Sequence, residues 1–239
     1  MFKKGFVLLL LSCSLFANAV TDNTSQGKKT KEHYIYSVYY KFISTGQITV
    51  DIEHDNDNVM MSSFTDLSFL GISFGGKQTS KISYDPENKD YVTESTVRKS
   101  VGFSDVNLSA EFLDNAHRVD VLEEGKTKSY SEKNNKIYGY NSVALNVEEA
   151  IRQGKTEFDF YMLTSDDISH YYFAVTGKEK IKTEFGEIDT IRVDQIKKDD
   201  RTFTLWFAPS IHGKMVKYHY QRRILDIKGE LTEFSYEEL

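Results

Sequence analysis

From Tyr34 onward, apolar and aromatic residues repeatedly alternate with polar ones at a period of two, and no other feature restricts the fold as strongly. Tyr34, Tyr36, Val38, Tyr40 and Phe42 share one face of a first strand. After a break at Ser44-Thr45-Gly46, Ile48, Val50 and Ile52 share one face of a second, giving a hairpin. The pattern returns at Val119 and Val121, at Phe158, Phe160 and Met162, and at Tyr171, Phe173 and Val175. It appears again at Phe203, Leu205 and Phe207 and at Val216, Tyr218 and Tyr220. β-Branched and aromatic residues dominate these runs, and such side chains suit a half-buried pleated surface. The stretch from Ile181 to Val193 is rich in lysine and glutamate, yet its apolar residues also alternate. It is read as a hairpin turning near Gly186, with its charges on the solvent face.

One helix is expected, from Asn146 to Gln153. Asn146 can cap it, Glu149 stands at the capping-box position, Val147, Ala150 and Ile151 form an apolar stripe, and Gly154 ends it. One short helix among roughly ten strands covers the apolar face of a curved sheet. The expected fold is mainly β: a single strongly curved antiparallel sheet, a half-barrel or open barrel, with that helix packed on the concave side.

The first residues predict export. Lys3 and Lys4 precede an apolar run from Phe6 to Leu11 and the small-x-small triplet Ala17, Asn18, Ala19, so residues 1–19 read as a signal peptide directing the chain to export. A lipid anchor at Cys13 is set aside, because the apolar segment before it is short and a good cleavage site follows. Cleavage after Ala19 would remove the only cysteine, and with it disulfides and thiolate chemistry. Residues 20–32 read as a flexible polar leader and 33–239 as a single antiparallel β domain. No later stretch has the roughly 20 apolar residues of a membrane-crossing helix.

The formal charge of −6 becomes −8 once Lys3 and Lys4 are removed, and an acidic chain without a basic stripe is a poor nucleic-acid partner. The cluster Lys214, Lys217, Arg222, Arg223 and Lys228 reads as a solvated strand face, with contact to phosphate or lipid headgroups as its alternative.

Motifs for catalysis are sparse. Gly71-Ile72-Ser73-Phe74-Gly75 matches the G-x-S-x-G of serine hydrolases and makes Ser73 a candidate nucleophile, but Lys77 to Tyr84 reads as strand where that mechanism needs a helix. The same absence, with Gln78 where a magnesium-binding hydroxyl belongs, rules out a phosphate loop at Gly71 to Lys77. Glu53 to Asn58 lacks the glycine and distal glutamate of a calcium loop and reads as a turn. The histidines have no zinc spacing, so no metal and no cofactor is expected. Asn107-Leu108-Ser109 and Asn23-Thr24-Ser25 are glycosylation acceptor triplets.

With 15 tyrosines and 16 phenylalanines there is enough aromatic bulk either to fill a core or to line a broad cavity. Strand parity nominates Tyr36, Tyr40, Phe42, Phe160, Phe173 and Trp206 as the concave, ligand-facing set. The function this suggests is non-enzymatic: binding or carrying an apolar, lipid-like ligand, or supporting the cell envelope. The alternatives are a secreted hydrolase using Ser73 and a structural protein with an envelope protein partner.

The order Tyr172 to Glu179, then Ile181 to Val193, then Thr204-Leu205-Trp206-Phe207-Ala208-Pro209, together with Tyr39 to Gly46, resembles an exported bacterial family, the domain of unknown function numbered three-one-zero-eight. The resemblance implies an exported, strongly curved antiparallel sheet. It is similar to the half-barrels that carry lipoproteins and other apolar ligands across the bacterial periplasm. It supplies no catalytic residues.

Overall fold

Two meanders, zipped together by the first and last strands, make one sheet of fifteen strands in a computed structural model that describes residues 29–69, 71–101, 105–164 and 167–239. The first meander comprises β1 (Lys29–Tyr40), β2 (Ile43–Asp55), β3 (Asn58–Phe69), β4 (Ile72–Asp85), β5 (Asp90–Val101), β6 (Val106–Leu113), β7 (Arg118–Glu123) and β8 (Lys126–Ser131). The second comprises β9 (Ile137–Tyr138), β10 (Glu157–Leu163), β11 (Ile168–Thr183), β12 (Gly186–Ile196), β13 (Thr202–Ala208), β14 (Lys214–Arg222) and β15 (Leu225–Glu238). Between β9 and β10 the chain forms the helix α1 (Tyr140–Arg152). All pairings are antiparallel except β9 with β10.

The sheet curls into a nearly closed barrel. Its edges come together where the segment after β8 crosses the β6–β7 turn: Glu132 N–H donates to the His117 carbonyl, and Ile137 N–H donates to that of Ala116. Lys136 then bridges Asp85 and Asp90. The end of the barrel carrying these contacts and the β2–β3 and β4–β5 turns is here called the base. The end with the β1–β2, β3–β4 and β14–β15 turns is the mouth.

The helix runs inside the barrel toward the base and is buried on nearly all sides. On one side Val143 and Val147 pack with Phe160, Phe173, Leu205 and Phe207. On the other, Leu145 joins Tyr34, Tyr36, Ile52, Val216 and Leu231. A third cluster, including Leu108, Phe112, Val119 and Ile137, fills the β5–β7 side.

The helix begins six residues before Asn146, with Gly139 rather than Asn146 as N-cap, and ends at Arg152. Asn146 lies mid-helix and clamps β5, accepting from Tyr91 N–H at 2.7 Å and donating to the Tyr91 carbonyl at 2.8 Å. Asn141 and Ser142 are likewise buried and bonded, to the Met61 carbonyl and to Thr93. These polar residues hide the first turns of the helix from a search for an apolar stripe, because their tertiary partners, not apolar contact, hold them inside.

The polar leader ends sooner than expected: Lys29 to Glu32 are already strand, with Thr30 and Glu32 buried. The first hairpin turns at Lys41-Phe42, with Lys41 at φ 55°, and Ser44 to Gly46 instead form an irregularity within β2. Gly46 is required there, since its φ is 134° and a Cβ would fall 2.1 Å from the Asp66 carbonyl oxygen. The hairpins at Asn56-Asp57 and before Gly186 stand where the sequence puts them. Residues 1–19, Cys13 and Asn23 lie outside the described residues.

Candidate functional site

The barrel interior divides into a sealed base and an open mouth, and strand parity explains both. On β1, Glu32 occupies the same inward row as Tyr34 and Tyr36. On β14, Lys214 shares its row with Val216 and Tyr218. The Lys214 ammonium lies 2.8 Å from the Glu32 carboxylate and 3.0 Å from Glu148 on α1. Tyr34 donates to Glu32 at 2.7 Å, Tyr36 donates to the Met215 carbonyl at 2.9 Å, and His54 stands 3.8 Å from Glu32.

Burial alone would raise the Glu32 carboxyl, but the Lys214 charge and hydrogen bond outweigh it and hold it below the usual range. Burial pushes the Glu148 carboxyl up, and Lys214 only partly opposes this. Burial works against the charged form of Lys214, yet the two carboxylates raise it well above an ordinary lysine. Burial likewise lowers the His54 imidazole. The cluster thus pins α1 to the β1–β14 wall as a floor. Lys214, read from the sequence as part of a solvated basic face, is instead largely buried; Lys217 is partly exposed and pairs with Glu230.

Above the floor is a cavity of about 710 Å³ that opens at the mouth. It exists because one inward row runs Ile48, Thr65, Gly76, Ser100 across β2 to β5, and the next runs Val50, Ser63, Gln78, Arg98. Small and polar side chains on β3 to β5 leave the space unfilled. Gly76 is obligatory in its row, since a Cβ would lie 2.7 Å from the Lys99 carbonyl oxygen. Opposite stand Ile227 and the first residues of the helix, Tyr140 and Asn141. Gln78 donates to Asn141 at 3.3 Å. Among the described residues no carboxylate pairs with Arg98, which lines the cavity beside the apolar Ile48, Phe74 and Ile227. The lining therefore offers apolar surface and, at Arg98, a cation able to meet a negative or hydrogen-bond-accepting group.

The six aromatic residues nominated by parity scatter. Phe160 and Phe173 are buried in the packed core beneath the helix, and Tyr36 in the core near the floor. Phe42 sits at a turn tip, 93% exposed, because the hairpin turns three residues before the expected break. Trp206 pairs in register with Arg192 and Lys217, on the face opposite Leu205 and Phe207, and donates to Glu179. Tyr40 is nearest the mouth: it pairs with Ile227, meets the Phe69 ring in a tilted contact at 4.6 Å between centroids and donates to the Ile224 carbonyl.

Ser73 lies exposed in β4 opposite Ser68, and the strand continues to Asp85 with no helix after it. All six histidines are engaged away from it. His33, His54, His170 and His219 face carboxylates, His117 bonds the Glu132 carbonyl, and His212 stacks on Tyr236. The nucleophile, base and oxyanion geometry of a serine hydrolase is not assembled there. Among the described residues no group of three or more His, Cys, Asp or Glu side chains is placed to hold a metal, and no helix is long and apolar enough to cross a membrane. Asn107 is exposed in β6.

The floor was readable in principle: Glu32 and Lys214 stand two residues from strongly apolar inward positions. Arg98 carried no such signal, because β4 and β5 interleave polar residues on both faces.

Comparison with known proteins follows the fold. A β-barrel-like protein of the domain-of-unknown-function family 1849 from Brucella abortus matches with a TM-score of 0.57 at 9% identity, over 88% of this chain and 98% of that one. An exported protein with a YmcC-like fold from Bacteroides fragilis matches at 10% identity over 85% of this chain and 95% of that one, with a TM-score of 0.27. The Brucella likeness concerns fold alone. No curated protein matches. The family model for proteins of unknown function DUF3108 matches residues 35–232, from β1 into β15 and across both halves of the barrel, and the chain belongs to that family.

Proposed function

We propose that this protein is an exported, non-enzymatic carrier or binder of an amphiphile, whose apolar part lies in the mouth cavity against Ile48, Phe74 and Ile227 and whose polar end reaches Arg98. The observation that supports it is the cavity itself: about 710 Å³, in the size range of small-molecule pockets, open at one end and floored at the other by a helix held by buried charges. The expected leader at residues 1–19 agrees with a periplasmic setting. The site differs from the one parity suggested: the rings of Phe160 and Phe173 build the wall behind the helix, and the ligand space lies beyond its N-terminal end.

Protein expressed from the full sequence and purified without detergent is expected to release lipid or another amphiphile in native mass spectrometry. Arg98→Gln is expected to weaken binding of a fluorescent fatty-acyl probe several-fold without loss of stability. An empty cavity that binds no probe, together with a single partner captured by cross-linking in the envelope, would replace the carrier reading with the structural one.

A further inference from the structure

At the mouth, the β1–β2 and β14–β15 turns lie side by side. Lys41 N–H donates to the Asp226 carbonyl at 2.8 Å, and Tyr40 donates to that of Ile224 at 2.9 Å. Together the two turns display Phe42, Ile43, Ile224 and Leu225 to solvent, with Phe42 93% and Ile224 79% exposed. Exposed aliphatic and aromatic side chains grouped at a tip in this way call for a partner. The charges around them that lack an ion-pair partner are positive. Lys228 lies 5.7 Å from the centre of the Phe42 ring and Lys41 5.6 Å from that of Tyr40, and Arg222 and Arg223 lead into the second turn. The nearby acids are engaged: Asp226 by His219 and Gln221, and Asp200 by Arg201 and Arg222. Among the described residues Lys41, Arg223 and Lys228 have no carboxylate within ion-pair distance.

We infer that this two-turn tip docks on an anionic lipid surface, with Phe42 and Ile224 entering the interface and Lys41, Arg223 and Lys228 meeting the headgroups. An apolar tip ringed by cations is complementary to such a surface in both depth and charge. A protein partner would have to offer both a groove for four apolar side chains and a surrounding acidic ring, whereas a membrane presents both everywhere. The tip adjoins the cavity mouth through Ile227, which pairs with Tyr40 and lines the cavity. Docking would therefore bring the opening to the bilayer. Docking by the rim and binding in the cavity are independent of each other, and either can fail alone.

The test is co-flotation of protein expressed from the full sequence and recovered from the soluble fraction. The vesicles are phosphatidylglycerol with phosphatidylethanolamine, compared with phosphatidylcholine alone. Anionic vesicles are expected to be bound at low salt, and neutral ones far more weakly. Each cation near an anionic surface contributes about fivefold, so the Lys41→Gln/Arg223→Gln/Lys228→Gln variant should lose about a hundredfold and most of the salt dependence. Phe42→Ser/Ile224→Ser should lose at least tenfold with an unchanged melting temperature, whereas Phe185→Ser, at the opposite end, should bind as the parent does.

Absence of vesicle binding, equal binding to neutral vesicles, or full binding by both tip variants overturns the inference. Concentration-dependent self-association lost in Phe42→Ser/Ile224→Ser, without vesicle binding, would assign the tip to a second copy of the chain. Fatty-acyl probe binding, measured separately on the same proteins, reports on the cavity independently.

Discussion

Lys214 is the residue on which the base of the barrel depends. It is the cation shared by the buried Glu32 and the half-buried Glu148, and breaking such a pair leaves uncompensated charge, costing up to about 3–5 kcal/mol. Lys214→Met should lower stability by that amount in urea unfolding, and Lys214→Met/Glu32→Gln/Glu148→Gln should recover most of it. Lys217→Met removes a partly exposed pair with Glu230 and should cost less than about 1 kcal/mol. His54 makes the same region pH-sensitive. Its imidazole is held below the usual value near 6.5, so as pH falls through that value the unfolded chain takes up the proton first and stability declines. Glu32, also depressed, contributes stability that is lost at lower pH, as it falls through the folded-state carboxyl value. His54→Gln should flatten the urea midpoint between about pH 7 and pH 5 while leaving the more acidic loss in place. An unchanged slope in that window would assign the dependence to other groups.

At the scale of elements, the helix and the sheet are held by contacts whose sequence signals differ in clarity. Hairpins around the Asn56 and Gly186 turns are visible in the sequence because apolar parity and turn chemistry agree. The helix is half visible: Val147, Ala150 and Ile151 announce its second half, while Asn141, Ser142 and Asn146 look like loop until their partners in β3 and β5 are known. Asn146→Leu should cost about 2–3 kcal/mol in urea unfolding, since it strands both the N–H and the carbonyl of Tyr91. Strands β3 to β5 are masked for a related reason. Their inward Ser80 and Thr96 bond each other at 2.9 Å, so inward no longer means apolar. Gly229 has the opposite character. It looks like a turn glycine but lies in mid-strand under the Tyr218 ring, where a Cβ would come within 2.0 Å of the ring. Gly229→Ala should destabilise by about 1–3 kcal/mol through overpacking, measured by the same unfolding curves.

For the molecule as a whole, alternation of residues, with the apolar stripe of one helix, was enough to indicate a curved antiparallel sheet covered by a helix, because such patterns record which face is buried. It was not enough to locate the cavity. A cavity is defined by what is missing from a row, and Thr65, Gly76 and Ser100 become informative only when register places them side by side. The joining of the two meanders through β1 and β15 is a contact between the two ends of the domain, and local periodicity carries no information about it. Buried charge fixes the floor, small residues open the mouth, and an apolar, basic tip stands at one side of it.

The most direct test of the carrier account is titration of a fluorescent fatty-acyl probe into the wild-type protein and into Thr65→Trp, whose indole would occupy the space between Ile48 and Gly76. The account requires saturable binding by the wild type, and binding at least tenfold weaker by Thr65→Trp at an unchanged melting temperature. Equal binding by the two proteins, or none by the wild type, would contradict it.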